Sequence, residues 1–399
     1  RIIVRARPLA DWGGRTPDTT WGSNHIRWVL PEFTLRLTTD VPVRFVRDGL
    51  PFVLSHPVSL VLGVDESLTR SLTGYVQEAQ ERTEEYWREW VRYLSIPLDW
   101  QEAVIRSAIT LKLCQYEDSG AIIAAMTTSI PEAPNTPRNW DYRYCWLRDA
   151  AFVVRALNRL GATRTMEQFI GYIFNIATTD GTMQPLYGIG FESQLEEHEV
   201  DTMAGYRGMG PVRRGNLAWI QQQHDVYGSV VLASTHLFFD LRLKDQGDAD
   251  TFRRLEPLGE RAYALHNVPD AGLWEFRGRA EVHTYTAAMC WAACDRLSKI
   301  ADRLVLPERS SYWRERADSI RERVLSEAWS EERGHFTDTL GGHRLDASLL
   351  LLADIGIVAN DDSRFVRTVE AVGRVLKHGD ALYRYIAPDD FGEPETSFT

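Results

Sequence analysis

Two short runs of this sequence carry residue types suited to chemistry on a sugar. The first reads Arg138-Asn139-Trp140-Asp141-Tyr142-Arg143-Tyr144-Cys145-Trp146-Leu147-Arg148-Asp149 and interleaves four aromatic rings with five charges. Aromatic faces cover the apolar C–H patches of a pyranose, while Arg and Asp hold adjacent hydroxyls through charge-assisted hydrogen bonds. A structural role competes: Asp149 can serve the positive N-terminal end of the following helix, with the rings in the core. The second run, Asp270-Ala271-Gly272-Leu273-Trp274-Glu275-Phe276-Arg277-Gly278, sets one carboxylate between two apolar rings. Loss of solvation disfavours the ionised form of such a carboxyl and raises its pKa, which is what a general acid needs near neutral pH. Arg277 opposes that shift if it faces Glu275, and otherwise is available to a substrate. A plain Glu–Arg ion pair is the competing reading of this run.

Two further segments share the aromatic and charged character. Gly205-Tyr206-Arg207-Gly208, continuing through Pro211-Val212-Arg213-Arg214-Gly215-Asn216 into the run from Gln221 to Gly228, is Gly-rich and basic. It lacks the GxxxxGK[ST] spacing of a phosphate loop, so a sugar-binding rim and a structural turn are both open. Asp380-Ala381-Leu382-Tyr383-Arg384-Tyr385 reads either as another substrate-facing loop or as an exposed turn.

The elements that must position these loops are helical almost throughout after Leu98. Some helices are amphipathic: Trp313, Ala317, Ile320 and Val324 recur at helical spacing beside Arg and Glu, as do Phe365, Val369, Val372 and Leu376, and Arg253 to His266 is similar. Others are apolar nearly all round: Val226 to Leu243, Tyr285 to Leu297 and Leu345 to Ile357. The first kind predicts outer helices and the second inner ones, and their alternation is how a closed toroid of helical hairpins is written in sequence. The loops precede inner helices, so they gather at one end of the toroid. Ala150, Val153, Val154, Leu157 and Leu160 form one helical stripe that Gly161 ends. About nine helices follow Leu98 and a ring of six pairs needs about three more, so the chain is expected to continue past Thr399. From Arg1 to Leu62 short β-rich runs dominate, including Ile2-Ile3-Val4, Phe33 to Leu37 and Val58 to Leu62, and read as the last strands of an all-β domain. Ser67 to Leu94 is a charged helical stretch in which Trp87, Trp90 and Val91 pack at helical spacing.

Composition narrows the partners. A net charge of -11 without a dense Lys/Arg block argues against nucleic acid and anionic membrane, both of which need clustered positive charge. The longest apolar stretch, about 13 residues from Ala347 to Ala359, falls short of the ~20 needed to span a bilayer. The four cysteines (Cys114, Cys145, Cys290, Cys294) form no CxxC pair and read as buried thiols, so neither a metal nor another cofactor is expected. Reduced cysteines suggest the cytoplasm. The chain opens at Arg1, so a targeting peptide upstream stays compatible with it.

Taken together, the Asn139 to Asp149 run and the Gly272 to Gly278 run resemble glycoside hydrolase family 15, the glucoamylases with their bacterial glucoamylase-like and trehalase members. The likeness extends from about Trp87 to Phe398, and the β-rich start resembles the tail of the bacterial members' N-terminal sandwich domain. It implies residues 1–66 as the end of a β-sandwich domain, 67–97 as a linker helix and 98–399 as an (α/α)6 barrel incomplete at its C-terminus. It further implies a pocket for the non-reducing end of an α-glucoside and an inverting reaction. By motif position Glu275 corresponds to the general acid, Arg148 and Asp149 to the grip on the terminal glucose, and Tyr142 to an aromatic near the reaction centre. Trp146 and Trp274 would line the pocket, Arg213 would lie in its wall, and Arg277 and Arg384 would face substrate. The family's catalytic base sits in a Glu-bearing loop beyond Thr399, with Glu393 and Glu395 the only late carboxylates to consider instead. Trehalose, maltose and longer α-1,4 or α-1,6 glucans are not separable from these residues. A toroid-fold disaccharide phosphorylase and a non-catalytic carbohydrate-binding protein are the alternative functions, and self-association of the chain as a homo-oligomer is compatible with the sequence.

Overall fold

The computed structural model describes residues 1–177, 180–394 and 396–397. By its internal contacts the chain divides into one unit of residues 1–94 with 200–204 and a second of residues 95–199 with 205–399.

The first unit holds a four-stranded antiparallel sheet in sequence order: β1 (Asp18–Trp21), β2 (His25–Val29), β3 (Thr34–Thr39) and β4 (Leu60–Val64). Alternation sets its faces. Ile26 and Trp28 of β2 and Leu37 of β3 turn into a small core with Val43 and Val46 of the short helix α1 (Val43–Arg47). Between them Arg27 projects the other way, its Nε 2.9 Å from both Asp65 carboxylate oxygens. Ile2-Ile3-Val4, expected as a strand, makes only one isolated bridge, Ile2 with Phe52. The helix α2 (Leu72–Arg92) is capped by Ser71, whose hydroxyl accepts from Gly74 N at 3.3 Å, and buries no residue fully.

The second unit is built of helical hairpins. In chain order its helices are α3 (Gln101–Leu113), α4 (Leu147–Arg159), α5 (Thr163–Ile176), α6 (Asp225–Phe239), α7 (Ala249–Leu265), α8 (Thr284–Arg303), α9 (Pro307–Glu327), α10 (Leu352–Ile355) and α11 (Ser363–Val375). The inner helices α4, α6 and α8 pack side by side, α4 on α6 and α6 on α8, while α5, α7 and α9 each back the inner helix before them. Helix α8 is buried on nearly every face, as its all-round apolar sequence requires, whereas α9 buries only the stripe Trp313, Ala317, Ile320 and Val324. This is the (α/α)6 toroid layout that the alternation of apolar and amphipathic helices predicts. One inner element differs from expectation. Leu345 to Ile357 is not a long helix but a 3-10 turn, Ala347–Leu351, followed by the single turn α10. Asp346 caps the 3-10 start by accepting from Ser348 N at 3.0 Å, and Gly356, at φ +97°, ends α10 in a conformation other residues rarely adopt.

Two inner helices approach each other closely at Gly228 of α6, where a Cβ would lie 2.2 Å from the Met289 carbonyl oxygen of α8. Gly228→Ala should therefore overpack this contact and destabilise by about 1–3 kcal/mol. Gly373→Ala on α11, where a Cβ meets nothing within 4 Å, should instead stabilise by up to ~1 kcal/mol through helix propensity. Urea unfolding of the two variants reads the contrast, and equal effects would contradict it.

Candidate active site

The loops before the inner helices deliver their polar residues to one cavity. Cys145–Trp146 forms a two-residue strand against Leu186–Tyr187, which fixes where the chain enters α4 and places Arg148 and Asp149 in its first turn. Arg148 is 8% exposed, and a guanidinium that stays charged at that depth needs counter-charges. It has them: Asp225, the first residue of α6, at 3.3 Å, Glu275 at 3.2 Å and Asp149 at 3.7 Å, with Gln223 Oε1 accepting at 2.9 Å. Burial opposes its charge, but Asp225, Asp149 and Glu275 outweigh burial and hold its pKa above the ordinary arginine value. Asp149 keeps an open side toward the cavity. Low solvation first, and the nearby Glu275 charge second, push its carboxyl up against the pull of Arg148.

Glu275 sits at φ +60°, a left-handed conformation that costs a non-glycine residue about 1–3 kcal/mol unless its surroundings impose it. They do impose it. Buried Asp270 accepts from Gly272 N at 3.1 Å and His224 N at 2.7 Å, Ala271 N donates to Gln222 O at 2.9 Å, and Gln221 Nε2 donates to the Glu275 carbonyl at 3.1 Å. Gly272, at φ +64°, passes so near His283 that a Cβ would lie 2.7 Å from its ring. The carboxylate is aimed just as firmly. Its Oε1 accepts from Trp146 Nε1 at 2.7 Å, Arg148 at 3.2 Å and Gln223 Nε2 at 3.2 Å, while among the described residues none donates to Oε2. Trp274 turns its indole N–H to Asp346 at 2.8 Å, and Phe276 packs on Tyr385 at 5.4 Å between centroids. Arg277 does not face Glu275. It grips both oxygens of Glu197, at 2.9 and 2.8 Å, because that buried carboxylate also anchors Leu217 N. Burial resists the Glu197 charge, yet the bonds from Arg277, Leu217 N and Arg213 outweigh it and hold its pKa below the usual range.

Beyond Trp146 the wall continues through Tyr142, whose ring lies 5.9 Å from the Trp146 ring. Tyr142 Oη is 3.5 Å from Glu132, which also accepts from Trp140 Nε1 at 3.0 Å and from Arg384 at 2.7 Å. The cavity has a volume of about 490 Å³, within the ~300–1,000 Å³ range of small-molecule sites. Tyr142, Trp146, Arg148, Asp149, Trp274, Glu275, Arg277 and Arg384 all line it. Arg213 does not; it stands behind Trp140, 5.5 Å from the ring, paired with Glu197 at 3.1 Å and Glu199 at 3.0 Å. The cavity also draws on residues the sequence did not single out, among them Glu132, Asp389, Asp390 and Phe391. Glu132 lies in a Pro- and Asn-rich stretch without aromatics, so its one signal was a lone carboxylate. Glu393 is exposed and outside the cavity lining, and Glu395 lies outside the described residues. Among the described residues no His, Cys, Asp and Glu cluster has metal-binding geometry, and no helix is long and apolar enough to cross a membrane.

Fold and site together define a helical toroid with a pocket of small-molecule size at the N-terminal ends of its inner helices. Residues 99–385 match glycosyl hydrolases family 15, and the chain belongs to that family. It is 36% identical over 309 residues to a trehalase of Mycobacterium tuberculosis, covering 76% of this chain and 45% of that protein. It is also 36% identical over 361 residues to a trehalase of Mycolicibacterium smegmatis, covering 88% and 53%. The chain thus spans about half the length of these curated relatives. A bacterial glucoamylase solved with acarbose shares its fold, with a TM-score of 0.63 at 14% identity over 93% of this chain and 61% of that one.

Two buried carboxyls behind the site titrate unusually. Burial raises Asp270 to about 7, helped by the Asp225 charge and resisted by the His224 and Gly272 N–H groups. Burial likewise raises Asp346 to about 6, against the hydrogen bonds from Ser348 and Trp274. An acid whose folded pKa exceeds its unfolded value of about 3.9 binds its proton more tightly when native, so its stabilisation holds at low pH and is withdrawn as pH climbs through the folded pKa. Asp270→Asn, which cannot ionise, should therefore be less destabilising at pH 8 than at pH 5, by ~1 kcal/mol or more, since one pKa unit is worth about 1.4 kcal/mol. Urea midpoints at the two pH values measure the difference; a penalty independent of pH would place the charge of Asp270 elsewhere in the ledger.

Proposed function

We propose that this chain supplies the glucose-gripping and proton-donating half of an inverting α-glucoside hydrolase of trehalase type. The observation that carries the reading is the asymmetry of Glu275. Three donors occupy Oε1, so when the carboxyl is protonated its proton belongs on Oε2, the oxygen to which none of the described residues donates. A proton held there is poised for transfer to a glycosidic oxygen rather than shared with the protein. Arg148 and Asp149, in the first turn of α4 and in the cavity lining, hold the hydroxyls of the terminal glucose, with Trp146, Tyr142 and Trp274 as its apolar walls. Arg384 and Arg277 stand further along, on the leaving-group side.

The other lining carboxylates are engaged: Glu132 with Arg384, Asp389 with Arg138, Asp390 with Arg277 N. The reading accordingly assigns the water-activating base to none of them. The trehalases at 36% identity favour trehalose as substrate over maltose and longer glucans. Turnover of a panel of these sugars by the full-length protein, with and without inorganic phosphate, tests both the substrate and the hydrolytic rather than phosphorolytic outcome.

Glu275→Gln in the full-length protein should retain sugar binding while kcat falls by ~10²–10⁴-fold, the usual worth of a general acid. Calorimetry and initial rates separate the two, and near-normal turnover would remove Glu275 from the reaction. An acid and base on opposite faces of the ring, ~6.5–9.5 Å apart with water between, should release β-glucose first from an α-linkage. Proton NMR of the nascent product decides; α-glucose appearing first would mean a retaining mechanism.

A further inference from the structure

The contacts along the cavity wall run in one order. From Arg148 and Asp149 they pass through Glu275 and Trp146 to Tyr142, then to Glu132 and Arg384, then to Trp140, whose ring meets Phe391 edge-on at 5.0 Å. Phe391 also stands beside Arg277, whose guanidinium lies 5.4 Å from its ring, on the side of Glu275 away from α4 that the reading above gives to the leaving group. It belongs to a tight turn, in which Asp389 N donates to Gly392 O at 3.0 Å and Gly392 N returns to Asp389 O at 3.2 Å, with Gly392 at φ +91°.

An exposed turn with this sequence would ordinarily be mobile, but this one is pinned from inside. Arg138 holds both Asp389 oxygens at 2.8 and 2.7 Å and also donates to Gly392 O at 2.9 Å, with the two charged side chains only 7% and 6% exposed. Tyr385 Oη donates to the same Asp389 at 2.6 Å, and Asp390 accepts from Arg277 N at 2.6 Å. Burial resists the charge of Asp389, but Arg138 and Tyr385 hold its pKa below the usual range, so the pair stays ionised. A buried, bidentate pair of this kind fixes geometry far better than a surface one. The outer face of the turn, at Asp390, Gly392 and Glu393, is exposed.

We propose that residues 387–394 are a strap across the leaving-group end of the cavity, which restricts the enzyme to short α-glucosides, disaccharides first, and excludes longer glucan chains. The proposal rests on the α-glucoside hydrolase reading above. With the strap across this end, a cavity of about 490 Å³ takes a second sugar ring against Trp140 and Phe391, and a third ring would have to displace the strap. Specificity then comes from a clash with the longer substrate as much as from contacts to the shorter one.

The test uses the full-length protein and compares kcat/KM for α,α-trehalose, maltose and maltotetraose. The wild type should favour one of the disaccharides over maltotetraose by about tenfold or more, the scale on which a pocket discriminates by shape. Phe391→Ala and Arg138→Ala should each shrink that ratio severalfold. Arg138→Ala strands the buried Asp389, so Phe391→Ala carries the test if the arginine variant does not fold. Wild-type turnover of maltotetraose as fast as of the better disaccharide overturns the strap and leaves the hydrolase reading standing, as do variants that scale all three substrates equally. Cleavage of none of the three overturns the hydrolase reading, and the strap with it.

Discussion

A guanidinium sits in the first turn of α4, 8% exposed, at the end of a helix whose own dipole repels cations. Its neighbours in the cavity wall answer that placement. Asp225 begins α6 beside it, so the positive ends of two inner helices and one buried arginine share the charges of Asp225, Asp149 and Glu275. Removing one member of such a cluster leaves the others buried and uncompensated, which is worth more than the pairing itself contributed. The arrangement is consequently rigid, and a rigid donor set is what lets hydroxyls be sorted by position.

The same arginine orients the proposed acid. Because Arg148, Trp146 and Gln223 all converge on Oε1, the Glu275 carboxylate has one rotational setting, and the strained backbone beneath it is held by hydrogen bonds from Gln221 and around Asp270. Strain here is imposed by over-determination, not tolerated as slack. The buried acids Asp270 and Asp346 are part of that support: one fastens the start of the loop, the other the indole of Trp274.

Much of the fold was legible because period and composition speak for each helix separately. The all-round apolar run of α8 and the single stripe of α9 can be read without knowing their partners. Leu345 to Ile357 misled because an apolar run reports burial, not length; the Asp346 cap and Gly356 decide the geometry, and both are weak local signals. At the site, the residues that line the cavity were legible where aromatics and charges alternate over a few positions, as from Trp140 to Asp149. Partnerships were not. Arg277 is two residues from Glu275 in sequence, yet its carboxylate is Glu197, brought across 80 positions by folding. Glu132 and Asp389 were missed for the same reason, since each acquires meaning only through an arginine some 250 residues away.

These distant pairings have a consequence for the chemistry of the ligand. Arg138, Arg148, Arg277 and Arg384 all line the cavity, and each already faces a carboxylate: Asp389, Asp225 with Glu275, Glu197 and Glu132. A lining of four cations without partners would draw a phosphate; four cations each matched by an acid present alternating donors and acceptors with little net field. A phosphate entering such a cavity must compete with a carboxylate for its arginine, and the displaced carboxylate then lies beside the incoming anion. A neutral polyhydroxylated ring meets no such penalty, because each hydroxyl can donate to an acid and accept from the neighbouring arginine at once. The charge pairing that folds the loops together thus also leaves the cavity lining with alternating donors and acceptors and little net field.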